Sequence, residues 1–375
     1  MGIPSPLRSV ASIRCPELEL FDDGDVKSAD TTPHQPRALK SRHIALPVCT
    51  FAGGPPAGRH LAAASRALQK AVSEAWDDLA QAFPPRLYVV GGLDGDFRPV
   101  STLERFDPLL GAWEELPRLP GPCAGPCAAV AAGRLYVLGG ELRGRALCGA
   151  QRFDPWLDSW EALPPMRAGR VRPAAVACGG YLYVLGGLDG ARPLRSVERY
   201  DMLSRVWEVL PQMHRARYAG AAAVQGKRIF AIGGDIPDAG AAAATVEVYD
   251  TEAGRWELLP AVQAPCCGSA VAADGAGRAA FMLGGLGLSG QALGLARCMP
   301  LEGLLGGGAG QPWAMLPAMP TPRHLVSVAA FRSGAVAVGG KGATFEASRD
   351  VEAFDAGSGE WRALPPLPGP RLRAA

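Results

Sequence analysis

The chain has 375 residues, a length that suits about two domains. Its 48 Gly and 34 Pro, without a Gly-X-Y period, call for many tight turns, and a hydrophobic content of 48% excludes wholesale disorder. With 38 basic and 36 acidic residues the net charge is +2, which excludes nucleic-acid binding by bulk electrostatics and leaves only a local patch.

Residues 1–58 show no clear periodicity and read as a low-order extension. Arg8 and Arg14 precede any acid, but the acidic run 17–25 follows at once, unlike a transit peptide, and no apolar core of a secretory signal is present. No run reaches 18 apolar residues, so no membrane helix is expected. Nine cysteines, an odd number in a long chain, suit free thiols in the cytoplasm, with the nucleus as the alternative compartment. Cys123 and Cys127 lack a second pair, so zinc is not expected. Residues 59–86 read as an amphipathic helix and linker. Leu61, Leu68, Val72, Trp76, Leu79 and Phe83 lie near one face, and Pro84-Pro85 ends the helix. The helix either packs on the following domain or serves a partner.

From residue 87 the chain repeats. Six apolar runs end in a glycine pair: Gly91-Gly92, Gly139-Gly140, Gly186-Gly187, Gly233-Gly234, Gly284-Gly285 and Gly339-Gly340. An aromatic–Asp pair follows in five repeats, at Asp107, Asp154, Asp201, Asp250 and Asp355. One tryptophan follows in each of the six: Trp113, Trp160, Trp207, Trp256, Trp313 and Trp361. Leu-Pro comes three residues after each tryptophan. The third repeat shows four strands: a small-residue strand a (173–180), an apolar strand b (181–185), an alternating strand c (197–201) and strand d (206–210). Strand b has no polar face, so both its faces must be buried. The fifth repeat lacks aromatic–Asp and carries a Gly-rich insertion at 303–310. No Lys-Ser/Thr follows that insertion, so it is a loop and not a phosphate cradle.

Glycine pair, aromatic–Asp, tryptophan and Leu-Pro at a period near 50 resemble the kelch repeat. The resemblance implies an all-β, six-bladed propeller over 87–375, because one blade cannot bury its own face and the blades must close into a ring. Two segments can complete the first blade, which lacks its own strand a. Residues 372–375 match the start of a strand a. Residues 42–51 echo 323–332 but carry Pro47. The chain ahead of the repeats is too short for the N-terminal BTB/BACK region of kelch-like ubiquitin-ligase adaptors.

In a propeller the d–a and b–c loops share one face. Arginine recurs six residues after the Leu-Pro proline, at Arg170, Arg217, Arg323 and Arg371; Cys123 and Cys266 hold the other two positions. Tyr218, His324, Arg172 and Arg373 follow closely, and Asp94 and Asp189 sit in Leu-Asp-Gly turns of the b–c loops. The arginines either hydrogen-bond loop carbonyls between blades or form a concave cationic face for an acidic or mixed-charge peptide segment. The resemblance implies a non-catalytic protein-interaction module with no cofactor, no metal and no nucleic-acid or membrane partner, recruiting a ubiquitin-ligase substrate or a cytoskeletal protein. The alternative it allows is a propeller enzyme, akin to sialic-acid epimerases or copper-radical oxidases. Only His214 and His324 lie in the repeats, two blades apart, whereas a copper centre needs convergent histidines.

Overall fold

The computed structural model describes residues 86–234, 243–259, 262–263, 269–273, 278–287, 289–301, 313–331, 334–344 and 346–375. The extension, the helix expected over 59–83, the segment 42–51, Cys266 and the insertion of 303–310 therefore lie outside the described residues.

Six antiparallel sheets follow the six repeats. Blade 1 has strands b (Leu87–Val90), c (Leu103–Asp107) and d (Ala112–Leu116). Blade 2 has all four: Cys127–Ala131, Arg134–Leu138, Ala150–Asp154 and Ser159–Leu163. Blade 3 runs through Ala174–Cys178, Tyr181–Leu185, Val197–Asp201 and Val206–Leu210, and blade 4 through Ala221–Gln225, Arg228–Ile232, Val246–Asp250 and Arg255–Leu258. Blade 5 comprises Ala270–Ala273, Ala279–Leu283, Ala296–Pro300 and Ala314–Met315. Blade 6 comprises Ser327–Phe331, Gly334–Val338, Val351–Asp355 and Glu360–Leu364.

The core lies between blades. Six apolar clusters are each shared by two neighbours, and one of them joins Leu87, Val89 and Phe106 of blade 1 to Val336, Val338 and Val351 of blade 6. That last cluster closes the ring. As expected for an inner strand packed on both sides, Leu182–Leu185 is buried throughout. The C-terminal segment completes blade 1: Val90 and Ala375 exchange both main-chain hydrogen bonds at 3.0 Å, and Leu93 and Leu372 do the same at 2.8 and 3.0 Å.

The repeated motif residues have distinct tasks. Each aromatic–Asp carboxylate caps its own c–d turn. Asp201 accepts the amides of Leu203 and Ser204, and Asp250 those of Glu252 and Ala253. Those amides hold both carboxyls below the usual aspartate range. The tryptophans tie neighbours together. Indole Nε1 of Trp160, Trp207, Trp256 and Trp361 donates to the Leu-Pro carbonyl of the preceding blade, and Trp113 donates to Pro365 across the closure. Trp207 is buried, its ring 5.1 Å from Tyr200 and its Nε1 2.7 Å from the Pro164 oxygen. Trp207→Ala is expected to cost about 3–5 kcal/mol by cavity and lost packing. Urea denaturation of the full chain measures this; an unchanged midpoint would remove the packing role.

Candidate functional site

The d–a and b–c loops form one layer. Met166 and Arg170 amides donate to Cys148 and Leu147, Met213 and Arg217 amides to Arg195 and Leu194, and Val171 bridges Leu188. The d–a loops are thereby anchored to the b–c loop of the blade they leave, and Val171 adds a tie to the b–c loop of the blade its loop enters.

The recurring arginines point into this layer, not out of it. Arg170, Arg217, Arg323 and Arg371 are at most 5% exposed. Arg170 Nη1 donates to the carbonyls of Gly186 and Ser196 at 2.7 and 3.0 Å, and Nη2 reaches Glu198 at 3.0 Å. Arg217 bonds Gly233, Thr245 and Glu247 in the same way, and Arg323 bonds Gly339, Asp350 and Glu352. Arg371 pairs with Glu104 of blade 1 and adds a second tie across the closure. Burial pulls Arg217 and Arg323 below the ordinary arginine value, opposed by Glu247 and Glu352; burial also raises Glu104, opposed by Arg371. The main chain at these arginines serves the preceding blade: Gly140, Gly187, Gly285 and Gly340 amides donate to the Arg170, Arg217, Arg323 and Arg371 carbonyls. Only glycine fits there, since a Cβ on Gly139 or Gly186, at φ 69° and 60°, would collide with the Arg170 or Arg217 carbonyl. The expectation that these four side chains line an exposed binding face is thus corrected. They are ion-paired struts: carbonyls, hydroxyls and a carboxylate take up the terminal nitrogens, while the buried Nε of Arg170, Arg217 and Arg371 has no hydrogen-bond partner among the described residues.

The partner glutamates are residues the sequence reading missed. They follow the arginine by 28, 30 and 29 residues in blades 3, 4 and 6. A signal was present: where the arginine position holds Cys123, the glutamate position holds Gln151, and the fifth repeat, with Cys266, holds Arg297. The Cys123 thiol is buried, and burial pushes it up to about 11, far from a reactive thiolate.

The other expected face residues divide. His324 is also buried, 6% exposed; burial and then Lys341 lower its pKa. Arg172 and Arg373 are half-buried and line an axial cavity of about 120 Å³ to which all six blades contribute. Arg172 lies over the Tyr218 ring, 5.9 Å from its centroid. Asp94 mostly serves its own loop, accepting the Asp96 and Arg98 amides at 2.9 and 2.8 Å. Asp189 is exposed in a two-residue hairpin opposite Arg192.

The exposed charge of the layer lies elsewhere. Blades 2 to 4 present Arg143, Arg145, Arg167, Arg192, Arg195 and Arg215, all exposed and none ion-paired with a described residue. Arg143 and Gly144 form the tip of a two-residue turn with φ 52° and 75°, a hairpin geometry that lifts Arg143 and Arg145 outward. The acids on the same described loops that reach solvent are Glu141 and Asp189. Among the described residues no three His, Cys, Asp or Glu side chains gather as a metal site.

The Kelch motif model matches residues 80–120, 122–167, 169–214 and 216–263, the first four blades. The chain belongs to the kelch-repeat family. It is 42% identical to Homo sapiens Kelch repeat and BTB domain-containing protein 13 over 62 residues, 16% of this chain and 13% of that protein. It is 40% identical to Homo sapiens Kelch-like protein 33 over 55 residues, 15% and 10% of the two chains. With Mus musculus Kelch-like protein 35 the figures are 37% over 65 residues, 17% and 11%. The matches thus span about a tenth of these kelch relatives. A solved structure described as "Structure of YjhT" superimposes with a TM-score of 0.57 at 14% identity, over 74% of this chain and 97% of that one, a likeness of fold alone.

Proposed function

We propose that this kelch propeller is a non-catalytic protein-interaction module that captures an acidic segment of a partner on the loop face of blades 2 to 4. The observation that supports it is the charge balance among the described residues there: six exposed arginines without ion-pair partners and two acids that reach solvent, with Asp235 and Asp238 lying outside the described residues. Arginine forks suit bidentate carboxylate recognition, and a one-signed rim speeds encounter and sets orientation. Because the loops beneath are hydrogen-bonded blade to blade, the arginines stand on a fixed frame, which lowers the ordering cost of binding. In a cell such a module serves an assembly that needs a recruited protein, a ubiquitin ligase or the cytoskeleton, in the cytoplasm or nucleus. No helix among the described residues is long and apolar enough to cross a membrane.

The test is peptide display against the full chain. Selected peptides are expected to be rich in Asp and Glu, with binding that weakens as salt rises. Arg143→Glu with Arg145→Glu and Arg192→Glu should shift selection toward Lys and Arg. The melting temperature should barely move, since exposed charges contribute little to stability. Peptides without acid enrichment, or an unchanged selection by the variant, would sink the reading. Stoichiometric copper or iron on the purified protein would favour the enzyme alternative instead.

A further inference from the structure

One position recurs around the axis of the ring, two residues ahead of strand a or of its C-terminal stand-in. It is Arg373 in blade 1, Gly125 in blade 2, Arg172 in blade 3, Ala219 in blade 4 and Leu325 in blade 6; the blade 5 counterpart, Gly268, lies outside the described residues. All five have left-handed backbone, with φ between 50° and 59°. That turn lets an amide reach the same position of the blade before it. Gly125 donates to the Arg373 carbonyl at 3.0 Å, Arg172 to Gly125 at 2.7 Å, and Ala219 to Arg172 at 2.8 Å. The ring demands the left-handed turn but not the side chain, because Gly, Ala and Leu serve in three of these blades. Arginine at the other two, in a conformation that L side chains rarely take, needs a separate reason.

Both arginines line the axial cavity of about 120 Å³, beside Gly125 and Ser327, and the described residues that line it include no acid. Gly125 gives Arg172 room, since a Cβ there would stand 2.8 Å from the Arg172 Cγ. Arg373 is half-buried. Its Nε is buried without a hydrogen-bond partner, and its guanidinium makes no hydrogen bond or ion pair with a described residue. Taking a guanidinium partly out of water without a partner is unfavourable, and an anion in the cavity reverses that. At about 30 Å³ per water the cavity holds about four waters, which is space for one group the size of phosphate and too little for a nucleotide.

We propose that the axial cavity is a binding site for one small oxyanion, of the phosphate or carboxylate class, held by the Arg373 fork with Arg172 as the second cation. The planar fork donates two parallel hydrogen bonds to such a group. A bound oxyanion ties blades 1 and 3 together across the axis. The site is separate from the arginine rim of blades 2 to 4. It uses none of Arg143, Arg145 and Arg192, and it stands whether or not the rim captures a partner.

Isothermal titration calorimetry of the full chain with inorganic phosphate, at an ionic strength held constant with sodium chloride, tests this. One phosphate per chain is expected. Arg373→Asn and Arg172→Asn, each bringing a side chain that tolerates the left-handed turn, should weaken binding by about tenfold or more. Urea midpoints in chloride alone show that the variants fold, and either one carries the test if the other does not. Arg143→Glu with Arg145→Glu and Arg192→Glu should leave the phosphate affinity within about twofold, because exposed rim charges act on the axis only through screened solvent. A parallel titration with acetate names the source, since binding of acetate alone assigns the site to a carboxylate. No saturable binding of either anion, or binding that both asparagine variants leave intact, would overturn the proposal. So would binding that is lost in the rim variant and kept in Arg373→Asn.

Discussion

Arg217→Glu combined with Arg323→Glu is expected to unfold the propeller. Each substitution removes a cation from a site at most 3% exposed and sets a second carboxylate against Glu247 or Glu352. Breaking a buried pair by losing one partner costs about 3–5 kcal/mol, and a like charge adds to that. The two sites share no partner, so their costs should add. The sum approaches the whole stability of a typical domain, about 5–15 kcal/mol. Far-UV circular dichroism and a urea titration read the outcome. A milder companion experiment separates pair from packing: Arg170→Met alone should cost about 3–5 kcal/mol by stranding Glu198. Adding Glu198→Leu should recover only part of it. Glu198 also accepts the Arg167 and Ala168 amides, and orphaned amides cost about 1–3 kcal/mol. A folded double Arg→Glu variant with an unchanged midpoint would return these arginines to the surface.

Deleting residues 371–375 is expected to open the ring. The deletion removes the paired main-chain bonds from Ala375 to Val90 and from Leu372 to Leu93, and it leaves Glu104 buried without Arg371. The stranded glutamate alone is worth about 3–5 kcal/mol. The bared edge of Leu87–Val90 is then a template for pairing with other chains, so aggregation should accompany the loss. Size-exclusion chromatography and hydrogen exchange at Leu87–Val90 measure both effects. Removal of 42–51 should leave that exchange unchanged. If the two deletions behave the other way round, the closing segment is 42–51.

Much of the blade plan was legible because the chain states it six times. A glycine pair after an apolar run means little once, but six copies, five of them at matching offsets from tryptophan and Leu-Pro, identify strands b, c and d and their turns. The asparagine-like task of Asp201 and Asp250, capping a turn, also follows from local spacing, since the accepting oxygen and the amides lie within three residues. The choice between 372–375 and 42–51 was not legible. Both segments resemble a strand a, and only the register that sets Ala375 opposite Val90 decides between them.

Sequence by itself determined that Arg170, Arg217, Arg323 and Arg371 occupy one equivalent position at the start of strand a. Tertiary structure alone decided which way they point. A loop residue has no alternation or helical phase to assign its side chain inward or outward, and the deciding partner, Glu198 for Arg170, lies 28 residues away on strand c. Once the fold brings that carboxylate and two carbonyls to one guanidinium, a buried strut forms. The exposed positive charge then sits on Arg143, Arg145, Arg192 and their neighbours; Arg145 and Arg192 share one loop position, six residues after the first glycine of their pair, whereas Arg143 has Gly190 as its counterpart in the next blade. Periodicity recorded what every blade needs to stand. The exposed charge of the loops is only partly periodic, and only the assembled loops bring it together.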